Sequence, residues 1–224
     1  MSDTKKKISI LICSYDGGED LWLPLARSYK RYWADCPFDI YLLTNYQNPA
    51  IPLFKNIAIG VERPWSDKIL ACIEKIPEEH ILLTYDDLFL NKAVDTEKII
   101  NLSKHAVYHE WSYFSFDPHI KLGANGTESF VKLNRNRQYR NSSPWTIYRK
   151  DILKELLVSG ESAWEFEKNG SERSNKYDNF YTATDNTFYW FNAIVQGKWK
   201  PDIYKKLRRD GIISSTSMPM LNPL

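Results

Sequence analysis

Six consecutive apolar or small positions, Ile8–Cys13, stop abruptly at Ser14-Tyr15-Asp16-Gly17-Gly18. A run this short and continuous predicts a strand buried on both faces, the habit of parallel sheets, followed by a turn. From Leu21 to Trp33 the period changes, with Trp22, Leu25, Tyr29, Tyr32 and Trp33 at helical spacing on one apolar face. Asp20 is placed to cap this helix, and Pro24 falls in its first turns, where a missing N–H costs little. Phe38–Thr44 predicts a second strand and Asn56–Val61 a weaker third. Ser66 is placed to cap a helix with Ile69, Cys72, Ile73 and Ile76 on its apolar face, ended by Pro77. His80–Thr84 is the fourth strand and stops at Tyr85-Asp86-Asp87. The short apolar step Leu88-Phe89-Leu90 and a helix over Thr96–Lys104 follow.

Beyond residue 105 the pattern is less regular. It predicts a strand within Phe130–Gln138, a strand over Pro144–Tyr148, a helix over Lys150–Leu157 and a short helix over Glu161–Lys168. Ser171–Tyr181 reads as a polar, mobile loop. A helix is expected from Thr184 or Asp185, with Phe188, Phe191, Ile194 and Val195 on one side and Gly197 as its stop. The last fourteen residues read as irregular. The strand–helix alternation of the first hundred residues predicts an α/β fold, one domain with a mixed, mostly parallel sheet flanked by helices. In such sheets ligands sit outside the carboxyl ends of the strands. That rule puts the Ser14–Gly18 turn and the Asp86-Asp87 pair on one rim.

Composition narrows the classes. A formal charge of +2 excludes a nucleic-acid binder of the long-basic-stripe type. Three cysteines, Cys13, Cys36 and Cys72, cannot all pair within the chain, and none has C-x-x-C spacing, which favours a reducing, cytoplasmic compartment. No apolar run reaches the length of a spanning helix. Aromatic residues make up 14% of the chain, a level that serves a core as readily as a sugar- or base-stacking pocket.

Adjacent carboxylates straight after a buried strand, Asp86 and Asp87, serve a sheet poorly because charge near low dielectric is costly. Mn²⁺ or Mg²⁺ would offset their repulsion and bridge to phosphates; a solvated turn is the plain alternative. The Ser14-Tyr15-Asp16 loop can set an aromatic face and a carboxylate beside a nucleoside. It lacks the G-x-G-x-x-G and G-x-x-x-x-G-K-[ST] patterns, which disfavours those nucleotide classes. Trp164-Glu165-Phe166-Glu167 offers two carboxylates, one of which can take a proton from a sugar hydroxyl. Glu165 is favoured because its flanking aromatics would shelter it and raise its pKa. The stretch Lys198–Arg209 holds six basic residues against Asp202 and suits substrate phosphates, an anionic membrane surface or plain solvent. The histidines, His80, His105, His109 and His119, have no cysteine beside them and no H-E-x-x-H pattern, which argues against zinc. No G-x-S-x-G elbow marks a hydrolase.

Taken in order, SYDGGED, WSDKILACIEKI, HILLTYDDLFL, PWTIYRKDILKELL, SAWEFE and FYWFNAIVQGKW resemble a small bacterial GT-A-type glycosyltransferase of cell-surface polysaccharide biosynthesis. The resemblance touches segments over about residues 8–200. It implies a Rossmann-like GT-A fold, with residues 8–104 as the donor half, 105–212 as the acceptor half and 213–224 as a tail. It further implies transfer, with inversion, from a nucleoside-diphosphate sugar to a glycan or lipid-linked glycan. Ser14, Tyr15, Asp16 and Lys68 would then face the donor, and Glu165 or Glu167 would act on the acceptor side. Tyr85-Asp86-Asp87 falls where a D-x-D would stand, but Tyr85 replaces its first acid. Asp87 then becomes the metal ligand for Mn²⁺ or Mg²⁺ and Asp86 lies nearer the sugar or ribose. A peripheral position on the inner membrane face through Lys198–Arg209 fits lipid-linked acceptors. Two other classes stay open, a non-catalytic carbohydrate- or protein-binding module and a sugar nucleotidyltransferase.

Overall fold

The structure is a computed structural model and describes residues 7–118 and 129–222. Strands β1 (Ile8–Cys13), β2 (Asp39–Thr44), β3 (Lys55–Ala58) and β4 (His80–Tyr85) lie parallel in the order β3-β2-β1-β4. Their connections carry helices α1 (Glu19–Tyr32) and α2 (Trp65–Ile73). After β5 (Leu88–Leu90) and helix α3 (Thr96–Tyr108) come β6 (Tyr113–Ser115), β7 (Phe130–Lys132) and β8 (Thr146–Arg149). Helices α4 (Lys150–Leu156) and α5 (Ala163–Arg173) then lead to β9 (Phe180–Ala183). The main sheet continues β4-β8-β6-β9-β7, with β8 and β7 antiparallel to their neighbours and β6 parallel to β9. This is the expected α/β fold, a mixed sheet with helices on both faces in a Rossmann-like GT-A architecture.

Alternation along each central strand builds both cores. Ile8, Ile10 and Ile12 of β1 meet α1 and α3 on one face, and Leu11 and Cys13 meet α2 on the other. Leu82 of β4 joins the first core, and Ile81 and Leu83 join the second, together with Ile152, Leu153 and Phe166 of α4 and α5. Because both faces are covered, these strands read as continuous apolar runs.

Several local expectations are corrected. Ser66 does not cap α2, which begins at Trp65 after Pro64; Ser66 is buried inside the helix and its main-chain N–H donates to Glu161 O at 3.1 Å. Asp20 does not cap α1 either. Its carboxylate accepts from Thr216 Oγ1 and Ser217 Oγ and from the amides of Ser217 and Met218, at 2.6–2.8 Å, which pulls its pKa down despite partial burial. That anchor, with Leu221 N–H donating to Trp199 O at 2.8 Å, pins an otherwise irregular tail. The helix expected after Asp185 is absent. Instead β10 (Trp190–Asn192) pairs antiparallel with β5, and β11 (Ile194–Val195) forms a hairpin with β12 (Lys198–Trp199). The hairpin turn is Gln196-Gly197, both at positive φ (50° and 71°), so Gly197 serves a tight turn and not a helix stop.

Ser171–Tyr181 is likewise ordered, not a mobile loop: α5 runs to Arg173, a 3-10 turn follows over Ser174–Lys176, and β9 takes up the rest. The cause is Arg140, fully buried, which donates to Ser174 O at 2.6 Å, Ser174 Oγ at 2.8 Å and Tyr177 O at 2.8 Å, with its guanidinium 4.3 Å from the Phe180 ring centre. Carbonyls at the end of a helix carry partial negative charge, which suits a buried cation. Next to it, Asn141 Nδ2 donates to Phe166 O at 3.0 Å, its Oδ1 accepts from Tyr148 Oη at 2.8 Å, and its N–H donates to Ser171 Oγ at 3.0 Å. A Cβ on Gly170 would stand 2.5 Å from Asn141 Nδ2. Because that amide is held on both sides, Gly170→Ala should cost about 1–3 kcal/mol of stability. Urea unfolding of the two proteins measures this, and an unchanged midpoint would remove the amide from its role as the α5 anchor.

Candidate functional site

β1 and β4 end side by side, with Asp86 N–H donating to Cys13 O at 3.2 Å, so their following residues share one rim. Ser14 Oγ donates to Asp86 Oδ2 at 2.5 Å and accepts from Trp22 Nε1 at 2.7 Å. A core tryptophan of α1 thereby fixes the direction of the Ser14 hydroxyl and, through it, the Asp86 carboxylate. Gly18 completes the seat, since a Cβ there would lie 2.5 Å from Asp86 Oδ2 and 3.1 Å from Ser14 Oγ. No other residue lets the start of α1 come this close. Burial pushes the Asp86 pKa up to about 7, helped by the neighbouring Asp87 charge and opposed by the Ser14 hydrogen bond and Lys68. Asp87 is raised to about 6, again by burial, with Lys200 pulling it back.

On the other side of the rim, Asp16 accepts from the main-chain amides of Asn45 (2.9 Å), Tyr46 (3.0 Å) and Gln47 (3.3 Å), and its own N–H donates to Asn45 Oδ1 at 3.1 Å. Its carboxylate ties the β1–α1 turn to the end of β2. Lys68 pairs with Glu62 at 2.6 Å, Asn45 Nδ2 donates to the other Glu62 oxygen at 2.7 Å, and the Lys68 ammonium lies 5.6 Å from the centre of the exposed Tyr15 ring. The Ser14–Gly18 turn and the Asp86-Asp87 pair thus lie on one rim, and Lys68 reaches the same place from α2.

The acidic helix separates its two glutamates. Glu165 belongs to a capping box: its Oε2 accepts from the N–H and Oγ of Ser162, both at 2.8 Å, and these bonds pull its pKa down. The expectation that flanking aromatics shelter Glu165 and raise its pKa is thus reversed, because Phe166 turns into the core while Trp164 turns to solvent. Glu167 faces the sheet. Its Oε1 accepts from Ser143 N–H and Ser143 Oγ, both at 2.7 Å, and Tyr85 Oη lies 2.5 Å from Ser143 Oγ. With the Ser143 proton committed to the carboxylate, Tyr85 is the donor in that second contact. Trp145, two residues on, is fully buried at φ 50°, stacked on Phe188 with ring centres 4.1 Å apart. That strained position bends the chain so that Ser143 meets Glu167. Ser143 was not singled out from sequence. A serine before proline carries no chemical signal until the fold brings α5 over it.

Tyr85, Asp87, Ser143, Trp164, Glu167 and Trp190 line one cleft of about 270 Å³. The basic stretch disperses. Lys200 acts on Asp87, Lys206 pairs with Asp210 and lies over Phe191, and Lys205, Arg208 and Arg209 face solvent on helix α6 (Pro201–Arg209). Among the described residues no three His, Cys, Asp or Glu side chains cluster as a protein-only metal cage, and no helix is long and apolar enough to cross a membrane. His80 sits at the opposite end of β4, His105 and His109 stack on each other and on Trp111 at the far edge of the molecule, and His119 lies outside the described residues.

No family model matches the chain, and a search of curated proteins finds no match. Solved structures do share its architecture. Staphylococcus aureus TarS 1-349 superposes with a TM-score of 0.56 at 13% identity, over 91% of this chain and 63% of that one. Its complex with UDP gives 0.57 at 12% identity over the same shares. A nucleotidyl transferase of Methanothermobacter (Mth528) gives 0.51 at 13% identity, over 79% of this chain and 85% of that one. The chain thus spans 63% of the length of the TarS chain it matches. At such identities the likeness shows the fold.

Raised carboxylate pKa values make stability depend on pH. A folded protein that holds the Asp86 proton up to about pH 7, against an ordinary value of 3.8, has that contribution in full below about pH 4 and loses it as pH rises through 7. Asp86→Asn cannot ionise and still accepts from Ser14. It should therefore be more stable than wild type at pH 8, by on the order of a few kcal/mol, with the gap closing toward pH 4. Denaturant titrations across that range measure it, and a gap independent of pH would show that Asp86 is not held in this way.

Proposed function

We propose that this chain transfers a sugar from a nucleoside-diphosphate sugar to a glycan or lipid-linked glycan acceptor, with inversion at the anomeric carbon. The observation that carries the reading is that Asp87, from the end of a donor-side strand, and Glu167, from the helix of the second half, open onto the same cleft. The GT-A-like architecture, shared with a TarS structure solved with UDP, supports the donor class.

In this reading Glu167 is the base. It removes the acceptor hydroxyl proton as that oxygen attacks the anomeric carbon, and the nucleoside diphosphate departs with the bonding electron pair. Ser143 fixes the carboxylate through two hydrogen bonds, and Tyr85 fixes the Ser143 hydroxyl. Glu165, spent on the helix cap, is a bystander. The donor side fits a divalent cation of the kind held by one or two carboxylates plus substrate phosphates, since two adjacent carboxylates with raised pKa values, one buried and one half-buried, gain from a positive charge beside them. Asp87 would hold Mn²⁺ or Mg²⁺, which supplies charge neutralisation to the leaving diphosphate. Lys200 adds to that neutralisation from the protein side. Tyr15 offers an aromatic face at the nucleoside end, and Asp16 shapes that end by holding the loop after β2.

Glu167→Gln should lower turnover on the order of 10²-fold or more, while Glu165→Gln loses little. Asp87→Ala should abolish transfer and keep the fold. UDP with Mn²⁺ should raise the Tm of wild type but not of Asp87→Ala. Equal loss in the two glutamine variants, or retention at the anomeric carbon by proton NMR of the product, would sink the mechanism. A sugar nucleotidyltransferase is the second reading, favoured by the 85% of the Methanothermobacter chain that is covered. Pyrophosphate release from a nucleoside triphosphate and a sugar phosphate would select it.

A further inference from the structure

We propose that the cleft beside Glu167 is an acceptor subsite for a neutral pyranoside, stacked against the indoles of Trp164 and Trp190; this rests on reading the chain as a glycosyltransferase with Glu167 on the acceptor side. Trp164 is 79% exposed in the first turn of α5. It precedes Glu167 by three positions, so the two share one helix face, and both line the cleft. An exposed indole on its own means little. Here a second indole, Trp190 of β10, lines the same cleft, and Asn192 two residues along the same strand adds a hydrogen-bonding side chain. A pyranose has the matching anatomy. Its axial C–H face is apolar and stacks on an aromatic ring, and its hydroxyl rim needs a few placed polar groups.

Size and charge restrict the occupant further. The cleft, about 270 Å³, falls just below the roughly 300–1,000 Å³ of sites that enclose drug-sized ligands, which suits one ring. Its lining contains the carboxylates of Asp87 and Glu167 and no lysine or arginine. A phosphate or carboxylate on the ring beside Glu167 would face that carboxylate with no lysine or arginine in the lining, at a cost in affinity. The acceptor's terminal ring is therefore an uncharged sugar, and any charged part of the acceptor lies outside the cleft.

The test uses the full chain labelled with ¹⁵N-tryptophan. Indole N–H signals are assigned through Trp164→Ala and Trp190→Ala, of which Trp164→Ala alters an exposed side chain and leaves the fold intact. The probes are methyl β-D-glucopyranoside, methyl α-D-mannopyranoside, methyl N-acetyl-β-D-glucosaminide and, as the anionic comparison, methyl β-D-glucopyranoside 6-phosphate. At least one neutral glycoside should move both indole signals saturably, with a Kd of roughly millimolar, and Trp164→Ala should weaken it about tenfold. Silence of both indoles toward all three neutral glycosides, or movement with methyl β-D-glucopyranoside 6-phosphate alone, overturns the proposal. Melting with UDP and Mn²⁺ is measured on the same samples. Stabilisation by the nucleotide with silent indoles leaves the transferase reading standing and removes the subsite. Moving indoles without nucleotide stabilisation keep the sugar site and remove the donor reading.

Discussion

Two carboxylates at the end of β4, Asp86 buried and Asp87 half-buried, set the terms for the rest of the rim. Asp86 and Asp87 leave the sheet where β1 and β4 run out together, and burial, helped at Asp86 by the Asp87 charge, lifts both above the ordinary aspartate range. Neighbouring elements are arranged to make that arrangement bearable. Trp22 orients Ser14, Ser14 donates to Asp86, and a glycine at the start of α1 leaves the carboxylate room. Lys68 brings positive charge toward Asp86 and Lys200 toward Asp87, and among the described residues neither forms an ion pair with them. Negative charge that is held in place but not neutralised is expensive for a fold and useful to a site that receives a cation.

A second buried polar construction places α5 and Glu167. Arg140 and Asn141 satisfy the carbonyls at the end of α5 and the main chain in its middle, and the same stretch continues directly into Ser142 and Ser143. The segment that anchors α5 is therefore the segment that holds the Glu167 carboxylate. Trp145 at positive φ, packed between Tyr29 and Phe188, fixes the exit of that segment from the far core. Position of the glutamate is thus determined by packing on both faces of the sheet, not by the helix alone.

Sequence legibility followed the range of the interactions involved. β1, β4 and α1 could be read because burial on two faces, or on one helical stripe, leaves a local period. The rim residues Ser14, Asp86 and Asp87 could be placed because a strand end is local and the rule for ligand position is general. Asp20 was misread because its partners stand almost two hundred residues away, at Thr216–Met218. Phe188–Val195 showed helical spacing, yet tertiary pairing of β10 with β5 and a two-residue turn at positive φ overrode it. Between Glu165 and Glu167 the sequence offered only flanking residues. The capping box was written there as Ser162 and Glu165, and it was the stronger local signal.

Tyr85 shows how the two halves are joined. It stands where a first metal-binding acid would be expected, and a phenol at that place gives no carboxylate to the donor side. Its hydroxyl instead reaches Ser143, whose own proton is committed to Glu167. The half-buried side chain stacks on Trp65, with ring centres 6.4 Å apart, which limits how far its hydroxyl can turn elsewhere. The end of β4, which carries Asp87, is thereby joined to the α5 carboxylate by a chain of two hydrogen bonds. A displacement of the end of β4 would be felt at Glu167 through that chain, so a phenol in place of a carboxylate couples the two sides of the cleft.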